Sequence, residues 1–404
     1  MYPLYQYKSG FLYFAGHNLA KCLSDLITPS YAYDLNVLKY NITELEERLQ
    51  SHQINNSLLC YALKANSHPK ILKTIKSYNL GADVVSGGEL KLAIKAGISP
   101  EKIIFAGVGK TQEEMEYALM LGRNGILAFN VESDDELACL SALGKCHLRK
   151  PRVSLRLNPQ VKAKTHRHIS TGNSIHKFGL SLLDIQTMLE QKTRWKHLSL
   201  VGLSTHIGSQ LTEFKASQKA WSALTTLAGS LPHPLEFLDF GGGIGIHYQH
   251  QGFQTAPPFA QFSDALAHIH SKLLDPLQRP FHTTILEPGR SLIGPAGILI
   301  VKVIRIKESA GKTFVIVDGG MNDLLRPALY DAYHEIYPLK LRSGAKKLVD
   351  IVGPLCETSD AFARERELPP IHPGDFLIIA DAGAYGKSMA STYNSRPLTR
   401  EIFL

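Results

Sequence analysis

The chain has 404 residues, room for two cored domains, and its 44 Lys plus Arg against 36 Asp plus Glu give a formal charge of +8. That mild excess suits an anionic ligand but forms no run or basic helix, which argues against a nucleic-acid binder. Five irregularly spaced cysteines without a C-x-x-C pair fit free thiols in a reducing compartment, and the start "MYPLYQYKSG" lacks the pattern of an export signal, so a cytoplasmic protein is expected.

In chain order, "GFLYFAGHNL" (10–19) is strand-like. Eight short apolar, β-branched runs follow: SLLCYALK (57–64), ADVVS (82–86), KIIFAG (102–107), GILAFN (125–130), RVSLRLN (152–158), LVGLSTHIG (200–208), EFLDFGG (236–242) and TTILEPG (283–289). Most are near-continuous rather than alternating, as in parallel strands covered on both faces. Helix patterns lie between them: "GGELKLAIKAG", stopped by Gly97; "QEEMEYALMLG" (112–122); and "SLLDIQTMLEQ" (181–191), opened by Ser181 with Asp184 three residues on. Eight β–α alternations predict an α/β fold, a closed (βα)8 TIM-type barrel, with an open doubly wound sheet as the runner-up. Beyond residue 290, strands separated by Ser-Ala-Gly, Arg-Ser-Gly and His-Pro-Gly-Asp turns predict a second, mostly antiparallel β domain. The expected division is a barrel over 29–282, inserted into a β domain made of 1–28 and 283–404, with the N-terminal strand joining the latter. Two long polar loops, 159–176 and 247–263, invite function.

"CYALKAN" (60–66) ends an apolar run on Lys64. A lone lysine there usually snorkels to water. In a barrel, however, the C-terminal strand ends form the active site. They carry Lys64, Asp83, Arg156, His206 to Ser209, the glycine stretch 241–245, and Glu287-Pro-Gly-Arg290. The glycine stretch fails as a dinucleotide fingerprint, because from Gly243 the third glycine would fall on Tyr248; it reads as a phosphate cradle or as a plain strand-to-helix turn. Lysine, phosphate cradle and acid together suggest pyridoxal 5'-phosphate, whose aldehyde condenses with a lysine amine. That chemistry needs a deprotonated amine, and partial burial against Cys60, Ala62 and Leu63 would favour it. Seventeen histidines include HRH (166–168) and HYQH (247–250), but neither has a carboxylate or cysteine at ligand spacing, so no metal is expected.

The segments "YALKAN", "GADVVSGGEL", "HIGSQ", "DFGGGIG", "EPGRSL", "DGGMNDLLRPALY", "GPLCETSD" and "DAGAYG" occur in this order between about residues 30 and 390. In them the chain resembles the alanine-racemase-like, ornithine-decarboxylase-like (fold type III) pyridoxal phosphate enzymes, and among these the diaminopimelate decarboxylase branch. The resemblance implies that Lys64 carries the cofactor, His206 stacks on its ring and Glu287 pairs with the ring nitrogen, with Asp83 and Arg156 in support. It implies a phosphate held by Ser209, Gly243, Gly245, the Gly289-Arg290 backbone and Tyr385. It also implies a substrate surrounded by Arg290, Arg326, Tyr330, Glu357 and Tyr385, with Cys356 entering from a second subunit as the acid, hence a homodimer with active sites at the interface. One departure is "CETSD", where Thr358 and Ser359 replace the family's Ser-Gly.

The implied reaction is decarboxylation of meso-2,6-diaminopimelate to L-lysine. Glu287 argues against a racemase, which would place a basic group at the ring nitrogen. A Glu357 and Arg326 pair fits a substrate end with both ammonium and carboxylate. Ornithine, lysine, carboxynorspermidine or a siderophore precursor are the alternative substrates, and a catalytically silent, cofactor-binding relative is the alternative of another kind.

Overall fold

The eight apolar runs close into one parallel barrel. In a computed structural model that describes residues 4–22, 26–161, 177–250, 257–273 and 281–404, its strands are β1 (Ser57–Ala62), β2 (Gly81–Val84), β3 (Ile103–Phe105), β4 (Ala128–Val131), β5 (Arg152–Arg156), β6 (Ser199–Ser204), β7 (Leu235–Gly242) and β8 (Phe281–Glu287). Each pairs with its neighbours in sequence, and β8 pairs with β1 to close the ring. Closure leaves no edge and buries both faces, which is why these strands lack polar alternation. The interior is filled by Cys60, Ile104, Ala128, Val201, Phe237 and Ile285. The HRH cluster and most of the 159–176 loop, with residues 251–256 of the second loop, lie outside the described residues.

The intervening helices begin where the sequence signals them. Ser86, Thr111, Ser133 and Ser181 accept the backbone N–H three residues on. Thr111 with Glu114, and Ser181 with Asp184, complete reciprocal capping boxes. Gly97 follows its helix at φ +87°, a left-handed stop that glycine takes without strain.

Contacts divide the chain into a barrel unit (43–245 and 258–289) and a β unit (1–42, 246–257 and 290–404). The expected boundaries shift for identifiable reasons. Strand Ser30–Tyr33 pairs with Gly297–Ser309 and Arg400–Phe403, which takes residues 29–42 out of the barrel unit. β8 is a barrel strand, which carries that unit on to Gly289. The N-terminal strands Tyr5–Lys8, Phe11–Phe14 and His17–Asn18 do join the β unit, but as a three-stranded sheet of their own, tied through Phe11 and Lys340.

The main sheet of the β unit runs Ile336–Pro338, Phe376–Ile379, Gly297–Ser309, Lys312–Val317, Lys347–Val352, Ala361–Leu368. It is mostly antiparallel, with parallel pairings of 312–317 to 347–352 and of 30–33 to 400–403. Tyr31, Leu299, Val301, Val317, Ile351 and Leu377 are among its core. Among the described residues no helix is long and apolar enough to cross a membrane.

The barrel's packing makes one position intolerant of a methyl group. A Cβ on Gly202 would lie 2.3 Å from the Phe237 ring, which occupies the space that a side chain would fill. Gly202→Ala is expected to destabilise the protein by about 1–3 kcal/mol through overpacking, measured by urea unfolding.

Candidate active site

The C-terminal ends of the barrel strands carry most of the expected groups. Lys64 is not on β1 itself: the strand stops at Ala62 and a 3₁₀ turn, Leu63–Ala65, follows. The turn lifts the amine off the core. Lys64 is about one-third exposed (36%), with Nζ 2.7 Å from Oδ2 of the fully buried Asp83 on β2. The expected apolar surround is therefore corrected. Cys60 faces the barrel interior, its sulfur 3.7 Å from the Lys102 carbonyl, and the amine faces a carboxylate instead.

Arg156, at the end of β5, donates to Glu132 at 2.6 Å and more weakly to the His206 carbonyl at 3.4 Å, with its guanidinium over Phe178. Glu132, just past β4, also accepts from the Gly107 and Gly179 N–H groups. It is an anchor that sequence reasoning missed, because an acid after a strand looks like any solvated loop residue.

His206 follows β6. Its Nδ1 accepts from the Gly242 N–H at 3.2 Å, so the ring proton sits on Nε2. Burial, with Arg156 and Lys64 nearby, holds its pKa well below the usual imidazole value. The ring is thus neutral, and its 3.8 Å approach to Glu287 is neither an ion pair nor a hydrogen bond.

Glu287 ends β8 buried, and its Oε1 has no hydrogen-bond partner among the described residues. Burial first, then Asp239 and Asp83, push its pKa well up. Asp239 on β7, which the sequence reading passed over inside "EFLDFGG", is completely buried; it accepts from Gly241 N–H and Asn130 and is pushed up to about 6 by burial. One Asp83 oxygen also lacks a partner. Three buried carboxylates therefore converge with a single lysine.

The glycine stretch packs backbone on backbone. A Cβ on Gly243 (φ +85°) would lie 2.1 Å from the Gly208 carbonyl, and one on Gly242 1.9 Å from the Glu287 carbonyl. The N–H groups of Gly241, Gly242 and Gly245 are engaged by Asp239, His206 and Leu211. Among the described residues, Gly243 is the one of these four glycines whose N–H shows no acceptor, whereas the Gly245 N–H is already taken up by Leu211.

The β unit holds a second cluster. Arg290 donates to Tyr248 Oη at 2.7 Å and lies over the Tyr385 ring. Arg326, buried, lies 4.5 Å over the Tyr248 ring and donates to His334 Nε2 at 2.7 Å. Burial lowers the Arg326 pKa to about 10. Tyr330 closes the short helix that Arg326 opens. Tyr248 and His334 were not foreseen: the first fell in a failed glycine motif, and the second is one histidine of seventeen.

Cys356 and Glu357 are exposed on the segment 353–360, where Glu357 accepts from Tyr393. Neither Thr358 nor Ser359 has a positive φ, so their replacement of Ser-Gly costs no backbone strain.

Comparison with known proteins agrees with this geometry. Residues 41–294 match the family described as pyridoxal-dependent decarboxylase, pyridoxal binding domain. The diaminopimelate decarboxylase of Aquifex aeolicus is 40% identical over 100% of this chain and 92% of its own length. That of Helicobacter pylori, solved with L-lysine, superposes with a TM-score of 0.87 at 39% identity, covering 96% of this chain and 94% of that one. The M. jannaschii enzyme, also with L-lysine, gives 0.91 at 35% identity over 99% and 92%. The chain belongs to the pyridoxal-dependent decarboxylases.

The residues present fit that family's cofactor, pyridoxal phosphate. A buried carboxylate with an oxygen unpartnered among the described residues suits a pyridinium nitrogen, a partly exposed lysine suits an aldehyde, and the glycine turn suits a phosphate.

The buried acids make this decarboxylase pH-sensitive when it is free of cofactor. A folded-state pKa raised above the unfolded value contributes stability that is present below about pH 4 and lost as pH rises through about 6. Asp239→Asn removes that dependence. The stability of the native protein relative to this variant is expected to fall by up to about 3 kcal/mol between pH 4 and pH 8 in urea unfolding of the cofactor-free proteins.

Proposed function

We propose that this decarboxylase converts meso-2,6-diaminopimelate to L-lysine and carbon dioxide. The observation that carries the reading is Arg326. It is a buried guanidinium with no carboxylate partner among the described residues, stacked on Tyr248 and bonded only to a neutral histidine. A substrate that keeps a carboxylate at the end remote from the reaction satisfies it; a simple diamine product would not.

In this reading Lys64 would hold the cofactor through its amine. The chemistry that pyridoxal phosphate would supply when bound is an electron-poor ring, able to take up the electron pair left on Cα as carbon dioxide departs. Glu287 would keep the ring nitrogen protonated, His206 would support the ring as a neutral group, and Asp83 holds the Lys64 amine in place. Ser209, Gly243 and the Gly289-Arg290 backbone hold the phosphate, with Gly245 shaping the turn. Arg326, with Arg290, Tyr330 and Tyr385, receives the remote carboxylate, and Glu357 the remote ammonium. Cys356 Sγ, from a second copy of the chain, delivers the proton to Cα. Five free thiols support a reading in which the enzyme works in the reducing cytoplasm.

Purified enzyme is expected to be yellow and to release carbon dioxide from meso-2,6-diaminopimelate. Borohydride reduction should label the peptide that contains Lys64, and Lys64→Ala should lose both colour and activity. Faster turnover of ornithine or carboxynorspermidine would overturn the substrate, and colour without gas release would favour a silent relative. Shared sites make a further demand. Lys64→Ala and Cys356→Ala are each expected to be inactive, yet mixed subunits should regain activity in about a quarter of the sites. No recovery on mixing would refute Cys356 acting across subunits.

A further inference from the structure

His334 lies outside every role assigned above, yet the Arg326 guanidinium is bonded to it. The structure assigns His334 as a positioning residue: a neutral imidazole that fixes the Arg326 guanidinium while leaving its positive charge for the substrate's remote carboxylate. The inference rests on the proposed function and names a further residue that determines its specificity.

The hydrogen bonds define the tautomer. His334 Nδ1 is 2.7 Å from the Ala380 carbonyl, which only accepts, so Nδ1 carries the proton. Nε2 is 2.7 Å from Arg326 Nη1, which only donates, so Nε2 is the acceptor. A protonated ring would lose the second bond and set a cation against a guanidinium. The ring is completely buried, and burial together with Arg326, Arg290 and Arg366 holds its pKa well below the usual value. Tyr248 packs edge-on against it at 4.9 Å while its face carries Arg326. The backbone carbonyl of His334 accepts from Arg366, which also pairs with Glu335.

A carboxylate in place of His334 would orient Arg326 equally well but would neutralise it. A histidine held as a pure acceptor takes one N–H and none of the charge. The preference for a ligand that bears a carboxylate therefore depends on the Nε2 bond.

Two replacements separate the two ring nitrogens. Asn reaches the Ala380 carbonyl from the position of Nδ1 but not Arg326, whereas Gln places an acceptor near Nε2. The probes for the holoenzyme are L-lysine and 1,5-diaminopentane, which lacks the carboxylate, with binding followed by calorimetry. His334→Asn is expected to raise the Kd for L-lysine and the KM for diaminopimelate about tenfold or more, with kcat and 1,5-diaminopentane binding within about threefold of wild type. His334→Gln should restore the preference for L-lysine. His334→Leu, which carries neither bond, replaces the Asn variant if thermal melting shows that variant unfolded. Unchanged L-lysine binding in the Asn variant, or equal losses for both ligands in the Asn and Gln variants, would overturn the role of His334 alone. Wild-type enzyme that does not prefer L-lysine to 1,5-diaminopentane would overturn the substrate reading and this inference with it.

Discussion

Three carboxylates buried at one end of a closed barrel, against one lysine, set the terms for the whole active site. Asp83, Asp239 and Glu287 come from β2, β7 and β8, so the barrel must close before they meet. Water cannot offset their charge there, and an excess of buried acid is tolerated only by holding protons or by acquiring cations. Lys64 meets Asp83, and Asn130 and Gly241 meet Asp239, but one Glu287 oxygen has no hydrogen-bond partner among the described residues. A bound cation would give such an oxygen a partner. The fold thus sets aside part of its stability in a site that is completed only by its cofactor.

Arginine is managed in two opposite ways. Arg156 is neutralised: Glu132 accepts from it at 2.6 Å and from two backbone N–H groups, so the carboxylate ties together the loops after β3 and β5. Its charge is consumed by structure. Arg326 is held by the Tyr248 face and a neutral imidazole, and its charge stays available. The difference is not visible in the identity of either arginine. It lies in whether the acceptor carries a formal charge, and so separates an arginine whose charge is spent in structure from one whose charge stays available.

That distinction also marks what could be read from the sequence. Strands covered on both faces have a one-dimensional signature, and so do helix caps; the eight runs, the Ser181–Asp184 box and the Gly97 stop stand where local physics puts them. Lys64 and Glu287 could be found because they end apolar runs. The 3₁₀ turn that moves Lys64 off its strand and against Asp83 depends on the neighbouring strand, which a local reading does not include. Asp239 looked like one polar residue in a strand, and Glu132 like one acid in a loop. Tyr248 and His334 lie 86 positions apart in the numbering and meet through tertiary packing alone. The domain limits moved for the same reason: Ser30–Tyr33 is assigned by its partners, Gly297–Ser309 and Arg400–Phe403, rather than by its composition.

The exposed pair Cys356 and Glu357 is held firmly by its surroundings. Buried Asp360 accepts from the Leu355 and Met321 N–H groups at 2.7 and 2.6 Å, and its own N–H donates to the Glu357 carbonyl. Glycine at 353 permits this, since a Cβ there would lie 2.3 Å from the Asp360 carboxylate. A thiol and a carboxylate that served only solubility would need no such anchoring, because solvated side chains on a surface turn lose little by moving. Fixing their backbone while leaving the side chains in water is economical when the ligand comes from outside the chain's own fold. The same logic runs through Glu287 and Arg326. In each, a polar group is oriented by the protein without a charged partner among the described residues, an arrangement that lets a complementary charge bind with little reorganisation.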